Sequence, residues 1–100
     1  MTIKSTTENG TVTLTLDGWL DTVSSPELGE RVDAIADASA IILDLEKVEY
    51  MASAGLRQVI AAYKKAKSMN AAFSVINVVP GVMSIFKMTG IDKKFDIRAL

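Results

Sequence analysis

The sequence predicts a single α/β domain over residues 1–100, a mixed β-sheet of four to five strands with helices packed mainly on one face. Three observations carry this expectation. Thr11-Val12-Thr13-Leu14-Thr15-Leu16 alternates strictly, so Val12, Leu14 and Leu16 share one face of a half-buried strand and the threonines the other. Ala40-Ile41-Ile42-Leu43-Asp44-Leu45 is almost continuously apolar, which reads as a central strand covered on both faces. Leu56, Val59, Ile60 and Tyr63 fall at i, i+3, i+4 and i+7, the stripe of an amphipathic helix.

The remaining elements follow in order. A short polar segment around Ile3 precedes Asn9-Gly10, a pair that favours a tight hairpin turn into the alternating strand. Asp17-Gly18 ends that strand. Ser24-Ser25-Pro26-Glu27 starts a helix, with proline suited to the first helical position and Ser24 and Glu27 at capping-box spacing. Leu28, Val32 and Ile35 are its buried stripe. After the helix that begins near Ser53, Met69-Asn70 turns the chain into a strand over Ala71–Ile76. Pro80 opens a short helix through Val82, Ile85 and Phe86, which Gly90 stops, and Phe95 and Ile97 flank Asp96 in a final strand. The order is β β α β α β α β. Helical connections between the last three strands, with right-handed crossovers, make those pairings parallel.

Composition narrows the chemistry. A hydrophobic fraction of 49% supplies one core, and 11 basic against 12 acidic residues leave a net charge of -1. That balance predicts no direct contact with nucleic acid, and no run of residues is apolar enough for membrane insertion, so a cytoplasmic protein is expected. Cysteine and histidine are both absent. Disulfides and thiolate chemistry are thereby excluded, and the commonest general base and metal ligand are missing. The carboxylates are scattered singly, and no glycine-rich phosphate loop or zinc spacing occurs. No enzymatic activity, metal or cofactor is expected.

The most informative junction is Met51-Ala52-Ser53-Ala54-Gly55, between the central strand and its following helix. Ser53 falls where free backbone N–H groups and the positive end of the helix dipole favour an anion, so an added phosphate is well tolerated there. The same hydroxyl would equally serve as an ordinary N-cap worth ~1 kcal/mol. Gly55 allows close backbone approach at the turn. Asp21 reads either as a turn acid or as part of the same surface. Trp19 is expected in or against the core, the sharper alternative being an exposed aromatic on a docking surface. Met83, Phe86 and Met88 are expected to pack along a helix face, and Lys64, Lys65 and Lys67 to form a solvated one.

Taken together, three segments resemble the STAS domains. They are Ile41-Ile42-Leu43-Asp44-Leu45 running on to Tyr50-Met51-Ala52-Ser53-Ala54-Gly55-Leu56-Arg57, Leu16-Asp17-Gly18-Trp19-Leu20-Asp21, and Met88-Thr89-Gly90-Ile91-Asp92-Lys93-Lys94-Phe95. Their order and spacing are similar to the single-domain bacterial anti-sigma-factor antagonists over essentially the whole length. The resemblance implies partner switching: the unphosphorylated protein binds an anti-sigma factor that is also a serine kinase, and a serine phosphatase reverses the kinase's modification. It implies Ser53 as the phosphorylated residue, two positions before the loop glycine. It also implies a partner surface of Asp21, Ala52, Ser53, Ala54, Gly55 and Arg57. Many members carry Asp directly before the serine, where this chain has Ala52. The alternatives are a STAS adaptor subunit of a membrane transport complex, bound to an ATPase, and a nucleotide-sensing module with weak nucleotide binding, neither regulated by phosphorylation.

Overall fold

Asn9 and Gly10, with φ of 51° and 83°, turn the chain between β1 (Thr2–Glu8) and β2 (Thr11–Asp17) in the computed structural model, which describes residues 1–100. Both residue types enter this left-handed region at low cost, which is why the pair makes a hairpin. Helix α1 (Ser25–Asp33), β3 (Ala40–Lys47), α2 (Ser53–Ser68), β4 (Ala72–Val78) and α3 (Pro80–Thr89) follow. A 3-10 turn at Ile91–Lys93 leads into β5 (Asp96–Ala99). The strands lie in sequence order, β1-β2-β3-β4-β5, with only the first pair antiparallel. Each helix therefore crosses between adjacent parallel strands: α2 and α3 as expected among the last three strands, and α1 in addition between β2 and β3.

Register decides which side chains meet. Val12 pairs with Ile41 and Leu14 with Leu43 across β2 and β3, and Leu43 pairs with Val75 across β3 and β4. Paired residues share a face, so these side chains make one apolar layer. It is closed by Leu28 and Val32 of α1, Val59, Ala62 and Ala66 of α2, and Val82 and Phe86 of α3, all in one buried cluster.

The opposite face of β3 differs from the expectation. Ile41, Leu43 and Leu45 are buried, whereas Ile42 and Asp44 are only half-buried, so the central strand is covered on one side. The apolar run made Ile42 look like a core residue. Its neighbours on that face are Thr13 and Ser74, and no helix crosses there.

The helix stripes shift slightly too. In α2 the fully covered positions are Gly55, Val59, Ala62 and Ala66, while Leu56, Ile60 and Tyr63 pack half-buried at the margin. Small residues lie innermost because the helix sits close to the layer beneath it. Tyr63 stacks on Phe95 at 4.9 Å between centroids and meets Phe73 at 5.9 Å, tying α2 to β4 and to the segment before β5. Along α3, Phe86 is buried and Met83 packs against the core, but Met88 is 85% exposed, on the other side of the helix. Gly90, at φ 75°, ends that helix in a left-handed cap.

Candidate functional site

Two loops that leave the C-terminal ends of β2 and β3 run side by side. The Gly18 N–H donates to the Lys47 carbonyl at 3.2 Å, the Leu20 N–H to Tyr50 at 3.0 Å and the Ala52 N–H to Leu20 at 2.9 Å. Leu20 and Met51 form a parallel bridge. This miniature ladder extends the sheet beyond a register shift between Thr15 and Asp17 and keeps the strand's alternation. Leu20 and Met51 point inward and are buried, so their neighbours Trp19 and Tyr50 point outward. Trp19 is consequently 63% exposed, not in the core as expected.

The ladder delivers the chain to the first turn of α2. Ala52 is the residue before the helix, in extended conformation, and Ser53 is the first helical residue rather than the cap. No side chain caps this end, and its first turn holds no acid. The first intrahelical N–H is that of Leu56, bonded to the Ala52 carbonyl at 3.0 Å. The N–H groups of Ser53, Ala54 and Gly55 thus lie ahead of the helical ladder, where the dipole's positive end is concentrated. Ser53 is exposed, and Ala52 and Ala54 are half-buried. Arg57 shares the face of Ser53 one turn on and is exposed as well. The chain's one ion pair, Arg98 to Asp96 at 2.7 Å, does not involve it.

Gly55 explains why the turn is so tight. A Cβ there would stand 2.6 Å from the Leu20 carbonyl oxygen and 2.7 Å from Leu20 Cγ. Only glycine lets α2 start directly on the Leu20 loop. Asp21 follows Leu20 and lies in the loop against this turn. Its Oδ1 accepts from the Val23 and Ser24 N–H groups, both at 3.0 Å, and the Ser24 hydroxyl lies 3.0 Å away. The Ser24 N–H, with the Val23 N–H beside it, holds the Asp21 carboxyl below the usual aspartate range.

Ser24 does not form the expected capping box with Glu27. It lies in helical conformation without a side-chain cap bond; its hydroxyl donates back to the Trp19 carbonyl and accepts from the Asp21 N–H. The Ser25 hydroxyl donates to the Asp21 carbonyl. These serines serve the loop and not the helix. Hence Asp21, Ala52, Ser53, Ala54, Gly55 and Arg57 fall at one end of the molecule, where β2, β3 and α2 meet. Tyr50 and Val23, 50% and 89% exposed, border the same end and were not anticipated. Outward alternation from Met51 marks Tyr50, but only once the loop is known to pair.

The sequence model of the STAS domain family matches residues 2–99. The anti-sigma-B factor antagonist of Bacillus subtilis (strain 168) is 27% identical over 89 residues, covering 88% of this chain and 82% of that protein. The anti-sigma-F factor antagonist RsfB of Mycobacterium tuberculosis (strain ATCC 25618 / H37Rv) is 27% identical over 97 residues, covering 95% and 79% respectively. The crystal structure of an anti-sigma factor antagonist from Mycobacterium paratuberculosis is similar with a TM-score of 0.88 at 27% identity, over 99% of this chain and 86% of that one. A match that runs from the first strand to the last leads to one conclusion: the chain belongs to the STAS domain family.

Proposed function

We propose that this chain is an anti-sigma-factor antagonist that works by partner switching. Unphosphorylated, it docks its Ser53 turn on an anti-sigma factor that is also a serine kinase; phosphorylated at Ser53, it is released until a serine phosphatase restores the hydroxyl. The names of the similar proteins support the antagonist role. The observation that carries the switch is the exposed Ser53 hydroxyl at the uncapped start of a 16-residue helix, among residues too small to keep a partner at a distance.

The physics of the switch is local. Phosphorylation adds about -1.5 to -2 charge and three acceptor oxygens. The free N–H groups of the first turn and the helix dipole accommodate that charge, so the fold survives it. A partner seated on Ala52 and Ala54 meets new bulk and an anion that must shed water, so it binds the two forms unequally, as any switch requires. Gly55 is buried against Leu20 and serves the turn, not the contact. In the transfer, Ser53 Oγ attacks the γ-phosphorus of the kinase's ATP, the bond to the β-phosphate oxygen breaks, and ADP leaves. The hydroxyl proton goes to a base on the kinase, because Ala52 offers no carboxylate and that of Asp21 is engaged in its loop.

The test is binding of wild type, Ser53→Asp and Ser53→Ala to the anti-sigma factor kinase of the same cell, with mass spectrometry of Ser53. Ser53→Asp should weaken binding about tenfold or more, ~1.4 kcal/mol, while Ser53→Ala binds and takes no phosphate. Equal binding by Ser53→Asp and wild type, with no phosphate at Ser53 in cells, would replace this reading with the adaptor role.

A further inference from the structure

Two aromatic side chains stand in water beside the Ser53 turn, and neither is there because its backbone is loose. Trp19 and Tyr50 project from the bonded loop ladder, each next to a buried residue, Leu20 and Met51, that pins its position. Their ring centroids are 5.7 Å apart and their planes inclined by 58°, so the two rings form a tilted, wedge-shaped contact pair whose outer faces are exposed. Exposed aromatics forgo burial in the free chain, and such residues concentrate at the energetic centres of interfaces.

The surroundings say what the wedge takes. Trp19 borders a depression of about 410 Å³ lined by Asp17, Gly18, Glu46, Lys47 and Glu49. Three exposed carboxylates face Lys47 there, but Lys4 lines the adjoining depression with Asp17 and Lys47, so the excess of negative charge beside Trp19 lies at Glu46 and Glu49. None of the three is in an ion pair within the chain, since the one pair is Arg98 with Asp96. Aromatic faces attract cations, and carboxylates at the rim take N–H donors. A guanidinium satisfies both at once, because it is planar enough to stack on a ring while its edge reaches carboxylates in a fork. A compact, strongly hydrated ammonium gains less there, and an anionic ligand is repelled.

We infer that Trp19 and Tyr50, rimmed by Glu46 and Glu49, receive an arginine side chain presented by the protein partner that docks on the Ser53 turn. This assignment rests on the reading of that turn as the docking surface. It divides the surface into two parts. Arginine anchors at the aromatic wedge, and close approach occurs over Ala52 and Ala54, where a phosphate acts through bulk and bound water. The anchor itself is independent of Ser53.

Trp19 is the only tryptophan in the chain, so its emission reports directly on the wedge. The full chain is titrated with blocked peptides of alternating glycine and arginine, glycine and lysine, or glycine and glutamate. The arginine peptide should shift the emission saturably and bind several-fold more tightly than the lysine peptide, with the glutamate peptide inert. Glu46→Lys with Glu49→Lys should weaken arginine binding ~10-fold and flatten its salt dependence; Tyr50→Leu, which keeps the reporter, should weaken it as well. Ser53→Asp should leave it unchanged. No saturable shift, or equal affinity in the charge-reversed chain with its circular dichroism intact, overturns the arginine site. The anti-sigma factor kinase then separates the two readings. Loss of its binding by Ser53→Asp with none from charge reversal sinks the arginine site and leaves the switch, and the reverse result sinks the switch alone.

Discussion

Ser53 occupies the first helical position, so its hydroxyl is not the group that holds α2 in place. Replacing it with alanine should cost well under the ~1 kcal/mol of a lost cap, which a thermal melt would show. Gly55 is the opposite case. The added methyl of Gly55→Ala would press on the Leu20 carbonyl at 2.6 Å, and backbone cannot swing aside. A loss of ~1–3 kcal/mol is expected, with a change in Trp19 emission as the loop ladder shifts. Asp21 gives a pH signature. Its carboxyl is held below the ordinary range by Ser24, so the loop's stabilisation is whole above that range and is lost as pH falls through the lowered value. The Val23 and Ser24 amide resonances should titrate below the pH of a free aspartate, and Asp21→Asn should abolish that step without unfolding the protein. The positions of Ser53 and Gly55 at a helix start were legible in the sequence, because strand, glycine and helical period adjoin there. The role of Ser24 was not. Its spacing to Glu27 matches a cap, but the hydroxyl is drawn back to Trp19 and Asp21 by a loop whose course depends on β3.

At the scale of elements, α2 shows how far a periodic pattern reaches. The helix and its apolar side were predictable, but the axis of burial passes through Ala62 and Ala66, both fully covered, rather than through Leu56 and Tyr63. Ala62→Leu should therefore overpack the contact with the sheet and cost ~1–3 kcal/mol or more. Leu56→Ala should lower the melting temperature by less than a fully buried leucine would, below the ~2–5 kcal/mol typical of core truncations. The reverse ranking in denaturant melts would place the helix in a different rotation. Pattern alone weights large residues, whereas close packing of a helix on a sheet brings small ones to the line of contact. The Tyr63, Phe73 and Phe95 cluster belongs to the same class of feature, since it joins segments far apart in the chain.

For the molecule as a whole, a five-stranded sheet in simple sequence order carries its helices over one apolar layer and leaves the other face to threonine, serine and half-buried isoleucine. Adjacent residues of β3 should then respond very differently to truncation. Leu43→Ala should cost ~2–5 kcal/mol and Ile42→Ala clearly less, read from urea melts of the two variants. Equal losses would mean that both faces are covered. The sequence by itself determined the order of the elements, the hairpin at Asn9-Gly10, the parallel crossovers, the stop at Gly90 and the serine at the start of α2. Each of these follows from local chemistry: allowed dihedrals, alternation, helical period and turn residues. Only the tertiary structure decided which face of β3 is covered, that Leu20 and not Trp19 turns inward, and that Trp19 meets Tyr50 beside Ser53. Those choices are made between segments about 30 residues apart, where pairing of the two loops selects the inward side chain, and no local pattern contains the partner strand.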